Sequence, residues 1–180
     1  MKKLAIASLA VVHLASAPAI AGPYLGVDGV FQSVNLDAPT LARVPNDLTG
    51  LGVSAGYRLG AVSLGGEYSS ASANKSGSSL SSTRYGVDLA YHVNLIEGLD
   101  TYAQVDGGRS AYSAVGINNF PQPASLLFHG SETDWGAGGG VSIPVWHAVA
   151  IRAHGGYRST NFADHASGGF VFGIGLELAH

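Results

Sequence analysis

The string "HGSETDW" brings His129, Ser131, Glu132 and Asp134 close together in the chain. On a strand, a histidine and a serine two positions apart share one face. There the imidazole can take the hydroxyl proton while a nearby carboxylate orients the ring, which is the chemistry of nucleophilic acyl transfer. The competing reading is a polar rim where strand gives way to watered loop. His154 stands on a later segment, but "HGGY" has no serine two positions on. Other chemistry is scarce. The chain has no cysteine, which removes disulfides, thiolate zinc sites and redox pairs. Its histidines show no metal-ligand spacing, and His147 and His154 have opposite strand parity, so neither a metal nor a cofactor is predicted. A formal charge of −3 without a basic run gives no support for binding nucleic acid.

The elements that would position these residues are strands. Eight segments alternate apolar and polar with period two, and helical periodicity is absent almost everywhere. The apolar parity carries Leu25, Val27 and Phe31 in the first, Leu51 to Leu59 in the second, and Val62, Leu64 and Tyr68 in the third. It carries Tyr85 to Val93 in the fourth and Thr101, Ala103 and Val105 in the weaker fifth. Trp135, Ala137, Val141 and Ile143 mark the sixth, and Val149, Ile151, Ala153 and Tyr157 the seventh. The closing "GGFVFGIGLELAH" supplies Phe170, Phe172, Ile174, Leu176 and Leu178. Charge goes to the other parity: Asp28, Arg58, Glu67, Asp88, Asp106, Arg152 and Glu177, joined by His92, Gln104 and His154. Such consistent sidedness requires two chemically different faces.

The first residues, "MKKLAIASLAVVHLASAPAIAG", set Lys2 and Lys3 before an apolar run and end on Ala19-Ile20-Ala21. That is the pattern of a bacterial secretory signal peptide over residues 1–21, leaving a mature domain over 22–180. An exported chain with two-faced strands fits either a soluble, lipocalin-like carrier with apolar side chains inside or a membrane barrel with apolar side chains outside. Three features favour the membrane. Glycine crowds the charged parity (Gly26, Gly52, Gly56, Gly138, Gly156, Gly173, Gly175), as the cramped interior of a narrow barrel requires.

Aromatic residues sit at strand ends on the apolar face, the second feature. Phe31, Tyr68, Tyr85, Trp135, Tyr157 and Phe170 form one predicted belt; Tyr57 and Tyr91, with nearby Tyr24 and Trp146, form the other. The third is loop length. Long connections are predicted over 33–49, 70–82, 109–132 and 159–167, and short ones at Gly60-Ala61, Asn94 to Gly98 and Pro144 to Ala148. The Ser-rich "SSASANKSGSSLSS" within the second reads as an exposed loop that would tolerate deletion of Ser76 to Ser79. The fold predicted is an all-β, eight-stranded antiparallel transmembrane up-and-down β-barrel, whose last strand pairs with the first so that no sheet edge faces hydrocarbon.

"GPYLGVDGVFQ", "TDWGAGGGVSIPV" and "FVFGIGLEL", in this order and spacing, resemble the small outer-membrane β-barrel family, which includes OmpA-type transmembrane domains and OmpX-like proteins. The resemblance spans 22–180. It implies a Gram-negative outer membrane, a periplasmic N-terminus, four outer loops, surroundings of lipid and lipopolysaccharide, and insertion by the barrel-assembly machinery. Gly173, Leu176 and Leu178 match the family's terminal assembly signal, although the chain continues to Ala179 and His180 instead of ending on phenylalanine. No peptidoglycan-binding domain follows, so cell-wall anchoring is not implied. The function expected is structural or surface-interacting, with a host or surface ligand at the loops. Some look-alikes act on lipid A through a Ser and a His, which makes His129, Ser131 and Glu132 the enzymatic alternative.

The inward charges have two readings, a water path or a structural plug. Eight strands leave a lumen that side chains can just fill, so mixed signs should pair and plug it. Five acids (Asp28, Glu67, Asp88, Asp106 and Glu177) are expected to face two central arginines, Arg58 and Arg152, with Arg84 and Arg158 near the rim; parity does not fix which acid meets which arginine.

Overall fold

In the computed structural model, residues 21–34, 44–96, 98–116, 125–162 and 165–179 are described. The predicted signal segment, apart from Ala21, lies outside them. Eight strands follow one another: β1 (Ala21–Ser33), β2 (Asp47–Leu59), β3 (Val62–Lys75), β4 (Ser78–Ile96), β5 (Leu99–Gly116), β6 (Ser125–Trp146), β7 (Val149–Phe162) and β8 (His165–Ala179). Each pairs antiparallel with the next, and the sheet closes on itself. At the seam Leu25 lies opposite Leu178 and Phe31 opposite Phe172. The last strand does what the alternation predicts: it satisfies the backbone of the first and removes both edges.

The two faces settle which way the barrel is turned. Leu51 is 68% exposed, Leu64 62%, Val87 62% and Ile174 65%, whereas Asp28, Arg84, Asp134 and Arg152 are buried. Apolar side chains outside and charges inside belong to a barrel solvated by lipid. The lipocalin-like alternative is set aside on this point.

Aromatic side chains stand on the outer surface, with Tyr68 beside Tyr85 and Tyr157 beside Phe170 across strand pairs. Tyr157 and Phe170 meet edge-to-face with ring centroids 5.5 Å apart. Phe31, Trp135 and Tyr57 are also exposed, and Tyr91 is half-buried. Tyr24 is a correction. It belongs to the parity of Gly26 and Asp28, so it points into the barrel, where its hydroxyl donates to Asp88 at 3.5 Å.

The larger correction concerns the predicted long connections. β3 and β4 run on to Lys75 and Ser78, so 70–82 is almost wholly paired, with Ser70 opposite Thr83 and Ser72 opposite Ser81. Only Ser76 (φ 49°) and Gly77 (φ 81°) turn the chain. Two successive left-handed residues make the mirror-image turn that matches strand twist in a hairpin. Much of 109–132 is likewise strand in β5 and β6, as is most of 159–167 in β7 and β8. Residues 35–43 and 117–124, within the first and third predicted loops, lie outside the described residues.

These extensions obey a reversed pattern. Past the aromatic belt the outward positions are polar, with Ser70, Ser72 and Ser81 exposed. The inward positions there are apolar: Leu48, Ala71, Leu80, Tyr112 and Ala114 pack with Val34 and Val44 into one buried cluster. A sheet that has left the bilayer faces water, so its apolar side must turn inward. A membrane crossing needs only about 9–11 tilted residues. β4, β5 and β6 have 19, 18 and 22. They rise beyond the membrane as a wall. The end carrying this wall is called the loop end below, and the opposite one, where Gly60 (φ 60°) and Gly98 (φ 79°) turn the chain, the turn end.

Candidate functional site

Inside the barrel three polar clusters succeed one another along the axis. The loop-end cluster is built on Arg84 of β4, which is 2% exposed. Its guanidinium reaches Glu67 of β3, donates to Asp106 of β5 at 2.5 Å and donates to Asp134 of β6 at 2.8 Å. Arg158 of β7 adds contacts to Glu67 at 3.0 Å and to Asp106 at 3.2 Å. Ser110 donates to the second oxygen of Asp134 at 2.5 Å. One planar fork and one second cation therefore tie five strands together. Burial demands this, because a carboxylate taken out of water is costly unless paired and hydrogen-bonded.

The middle cluster belongs to Arg152 of β7. It pairs with Asp28 of β1, donates to Ser54 of β2 at 2.9 Å and approaches Glu177 of β8 at 3.4 Å. The turn-end cluster joins β2 to β5. Arg58 pairs with Asp100 at 2.7 Å through Nη1 and at 3.3 Å through Nη2, a two-pronged contact. His92 Nδ1 lies 2.8 Å from the same carboxylate, and His92 Nε2 lies 2.9 Å from Ser63 Oγ.

Glycine is what lets these groups fit. Gly138 and Gly156 face each other across β6 and β7. A Cβ on Gly138 would stand 2.4 Å from the Gly155 carbonyl oxygen, so this wall of the lumen accepts no side chain there. Among the described residues the lumen keeps a cavity of about 60 Å³ beside Asp28, Glu67, Asp106 and Arg158, and another of about 180 Å³ at the turn end. Arg58, Ser63, Asp88, His92, Asp100, Tyr102 and Glu177 face the second.

Asp28, Arg58, Glu67, Asp88, Asp106, Arg152 and Glu177 line the lumen in these partnerships. Arg58 does not meet Glu67 or Asp88; it pairs with Asp100. Arg152 holds Asp28 and Glu177, while Asp88 meets Tyr24. Arg84 and Arg158, expected near the rim, are the centre of the densest cluster. Asp100 and Asp134 went unrecognised as lumen residues. Asp134 lies within the string "HGSETDW", and Asp100 sits one step before the fifth segment's apolar residues. Parity alone placed both inward.

"HGSETDW" is divided by the sheet. His129 and Ser131 are exposed on the outer face of β6, and Ser131 accepts from Arg109 Nε at 2.7 Å. Glu132 lies opposite Ser110 on the inward parity, and Asp134 is buried in the loop-end cluster. No carboxylate of the string can orient His129, because strand alternation sends them through the wall. Among the described residues no His, Asp and Glu cluster could hold a metal ion.

Comparison with solved structures finds the same architecture at low identity. The chain is similar to Neisserial surface protein A (TM-score 0.67, 15% identity, 88% of this chain and 97% of that one). It is also similar to Ail, the attachment invasion locus protein of Yersinia pestis, in complex with the heparin analogue sucrose octasulfate (TM-score 0.56, 13% identity, 88% and 99%). A third likeness is to outer membrane protein OprG of Pseudomonas aeruginosa (TM-score 0.51, 10% identity, 91% and 98%). No curated protein matches by sequence. At such identities the likeness concerns the fold. Residues 4–177, however, match the family described as outer membrane protein beta-barrel domain. With the closed sheet and its lipid-facing exterior, that match makes the chain a member of this outer-membrane β-barrel family.

Proposed function

We propose that the protein is a surface barrel with a plugged lumen, its turn end and N-terminus in the periplasm and its loop end outside the cell, where the β4–β6 wall and four loops meet external partners. The observation that carries this is the packed interior. The Arg84 cluster spans five strands across the bore, and the apolar cluster of Leu48, Leu80 and Tyr112 lies beyond it toward the loop end. Water crossing the lumen would have to separate buried ion pairs and then wet a dry apolar layer, both unfavourable.

The outer face supplies the remaining partners. Lipid and lipopolysaccharide surround the apolar band and its aromatic belt, and β8 carries the elements that the barrel-assembly machinery reads. A ligand at the wall is supported by the exposed polar rows of Ser70, Ser72 and Ser81 beside Arg109 and His129. The structure of Ail with a heparin analogue shows that a barrel of this shape can be crystallised with a sulfated sugar. The reading assigns no catalysis to His129, Ser131 or Glu132, whose carboxylate and imidazole lie on opposite faces of the sheet. Planar-bilayer recording tests the plug. The purified protein should give no stable conductance, and large steady ion-selective channels would make the lumen, rather than the loop end, the functional part.

A further inference from the structure

The turn-end cluster contains an arrangement that stability alone does not require. Asp100 is a carboxylate held in a two-pronged contact by Arg58, so it can only accept, and His92 Nδ1 must donate to it across 2.8 Å. In a neutral imidazole that leaves Nε2 as the acceptor, 2.9 Å from the hydroxyl of Ser63. Serine to Nε2 and carboxylate to Nδ1 is the order that activates a serine hydroxyl as a nucleophile, and Arg58 fixes the carboxylate in place. The three residues come from adjacent strands, β3, β4 and β5, so the sheet fixes their spacing. Arg58 lies directly opposite Ser63 in the β2–β3 register. The ring of Tyr102 sits 5.2 Å from that of His92 and holds it from one side.

All three also face the cavity of about 180 Å³, rimmed by Gly22, Pro23, Pro144 and Ala150 at the strand ends. We propose that Ser63, His92 and Asp100 form a hydrolytic site in the turn-end mouth of the barrel, acting on small carboxylic esters. Ser63 Oγ bonds to the carbonyl carbon as its proton passes to His92 Nε2. The C–O bond to the leaving group breaks, and His92 returns the proton to the departing alcohol. Water then attacks the acyl-serine, gives its proton to His92, and the acid leaves as Ser63 regains its hydrogen. Ester and water become acid and alcohol, with no oxidant or metal involved. Asp100 and Arg58 are positioning residues. The cavity is faced by Asp88, Asp100 and Glu177 against Arg58 and Arg152, so it favours neutral or cationic esters over anionic ones.

The test uses the full chain folded in detergent, its folding checked by the unboiled gel band. A fluorophosphonate probe should phosphonylate Ser63, read as one modified peptide by mass, and p-nitrophenyl acetate should be turned over. Ser63→Ala should lose both signals. His92→Gln should slow labelling by about 10²–10⁴-fold, the usual worth of a general base. Asp100→Asn should slow it too, with Asp100→Glu restoring part of the rate, which a merely structural carboxylate would not do. Ser131→Ala, on the outer wall, should label like the native chain. Folded protein that leaves Ser63 unlabelled, or Ser63→Ala that labels and hydrolyses as before, overturns the proposal. Neither outcome bears on the loop end, whose reading rests on the plug.

Discussion

Arg84 is the side chain on which the loop-end half of the interior rests, and Arg84→Ala is the sharpest perturbation of it. Its guanidinium serves Glu67, Asp106 and Asp134, and its own exposure is 2%. After truncation Arg158 is the cation left in the cluster among the described residues. It stands 3.0 Å from Glu67 and 3.2 Å from Asp106, but 4.0 Å from Asp134. Asp134, with no side-chain exposure, would keep Ser110 as its main partner. Breaking a buried pair by removing one member costs about 3–5 kcal/mol, because the other charge stays desolvated; water entering the vacated space lowers this toward the smaller figure. Urea titration in detergent, followed by Trp135 and Trp146 fluorescence and by the unboiled gel band, measures the loss. Arg84→Ala combined with Asp134→Ala should cost less than the two single changes together, since the pair is removed as a unit. If Arg84→Ala unfolds at the native urea concentration, the buried ion pairs do not hold the barrel and the plug has no energetic basis.

The remaining expectations use the same assays. Val87→Arg or Leu89→Arg puts a charge in the lipid band and should cost about 2–4 kcal/mol, read as lost outer-membrane assembly. Leu80→Ala, fully buried in the apolar cluster, should cost about 2–5 kcal/mol even though the position lies beyond the membrane. Deleting Ser76 to Ser79 removes the Ser76-Gly77 turn and two paired strand residues, so the folded band should weaken; an unchanged band would mean that the hairpin tip is dispensable.

Strand order, closure and the direction of the two faces were legible because a bilayer enforces period two with large amplitude. Leu51, Leu64 and Val87 look outward for the same reason that Asp28 and Arg152 look inward. The extent of the strands into the predicted connections is hidden for the complementary reason. Above the aromatic belt the sheet exchanges lipid for water and its polarity reverses, so Ser70, Ser72 and Ser81 turn outward while Ala71 and Leu80 turn inward. A search for outward apolar residues sees that stretch as featureless serine. Ion pairing was out of reach on other grounds. Parity says which wall a side chain leaves but not its height, which depends on the stagger between strands. Arg58 with Asp100 and Arg84 with Asp134 are matters of height. The chain Ser63, His92, Asp100 was invisible for the same reason, since no spacing in sequence relates three residues on three strands.

The three interior clusters also divide the work of closing the barrel. The loop-end cluster joins β3 through β7, and the turn-end cluster joins β2 through β5; neither touches the seam between the two ends of the sheet. Of the three clusters among the described residues, the Arg152 cluster is the one that does, reaching from β7 to Asp28 on β1, Glu177 on β8 and Ser54 on β2. The seam needs it most, because β1 pairs with β8 from Tyr24 to Gln32, a shorter run than its pairing with β2 from Ala21 to Ser33. Joining strands so far apart in sequence also carries the largest loss of chain entropy. The Arg152 contacts to Asp28 and Ser54 form only when β1 and β8 have come together, whereas the one to Glu177 lies within the β7–β8 hairpin; all gain strength as water leaves the lumen. Closure and desolvation therefore favour each other. A half-closed sheet would leave Arg152 with Glu177 but without Asp28 and Ser54 and expose unpaired strand edges to lipid, and both penalties disappear in the same step.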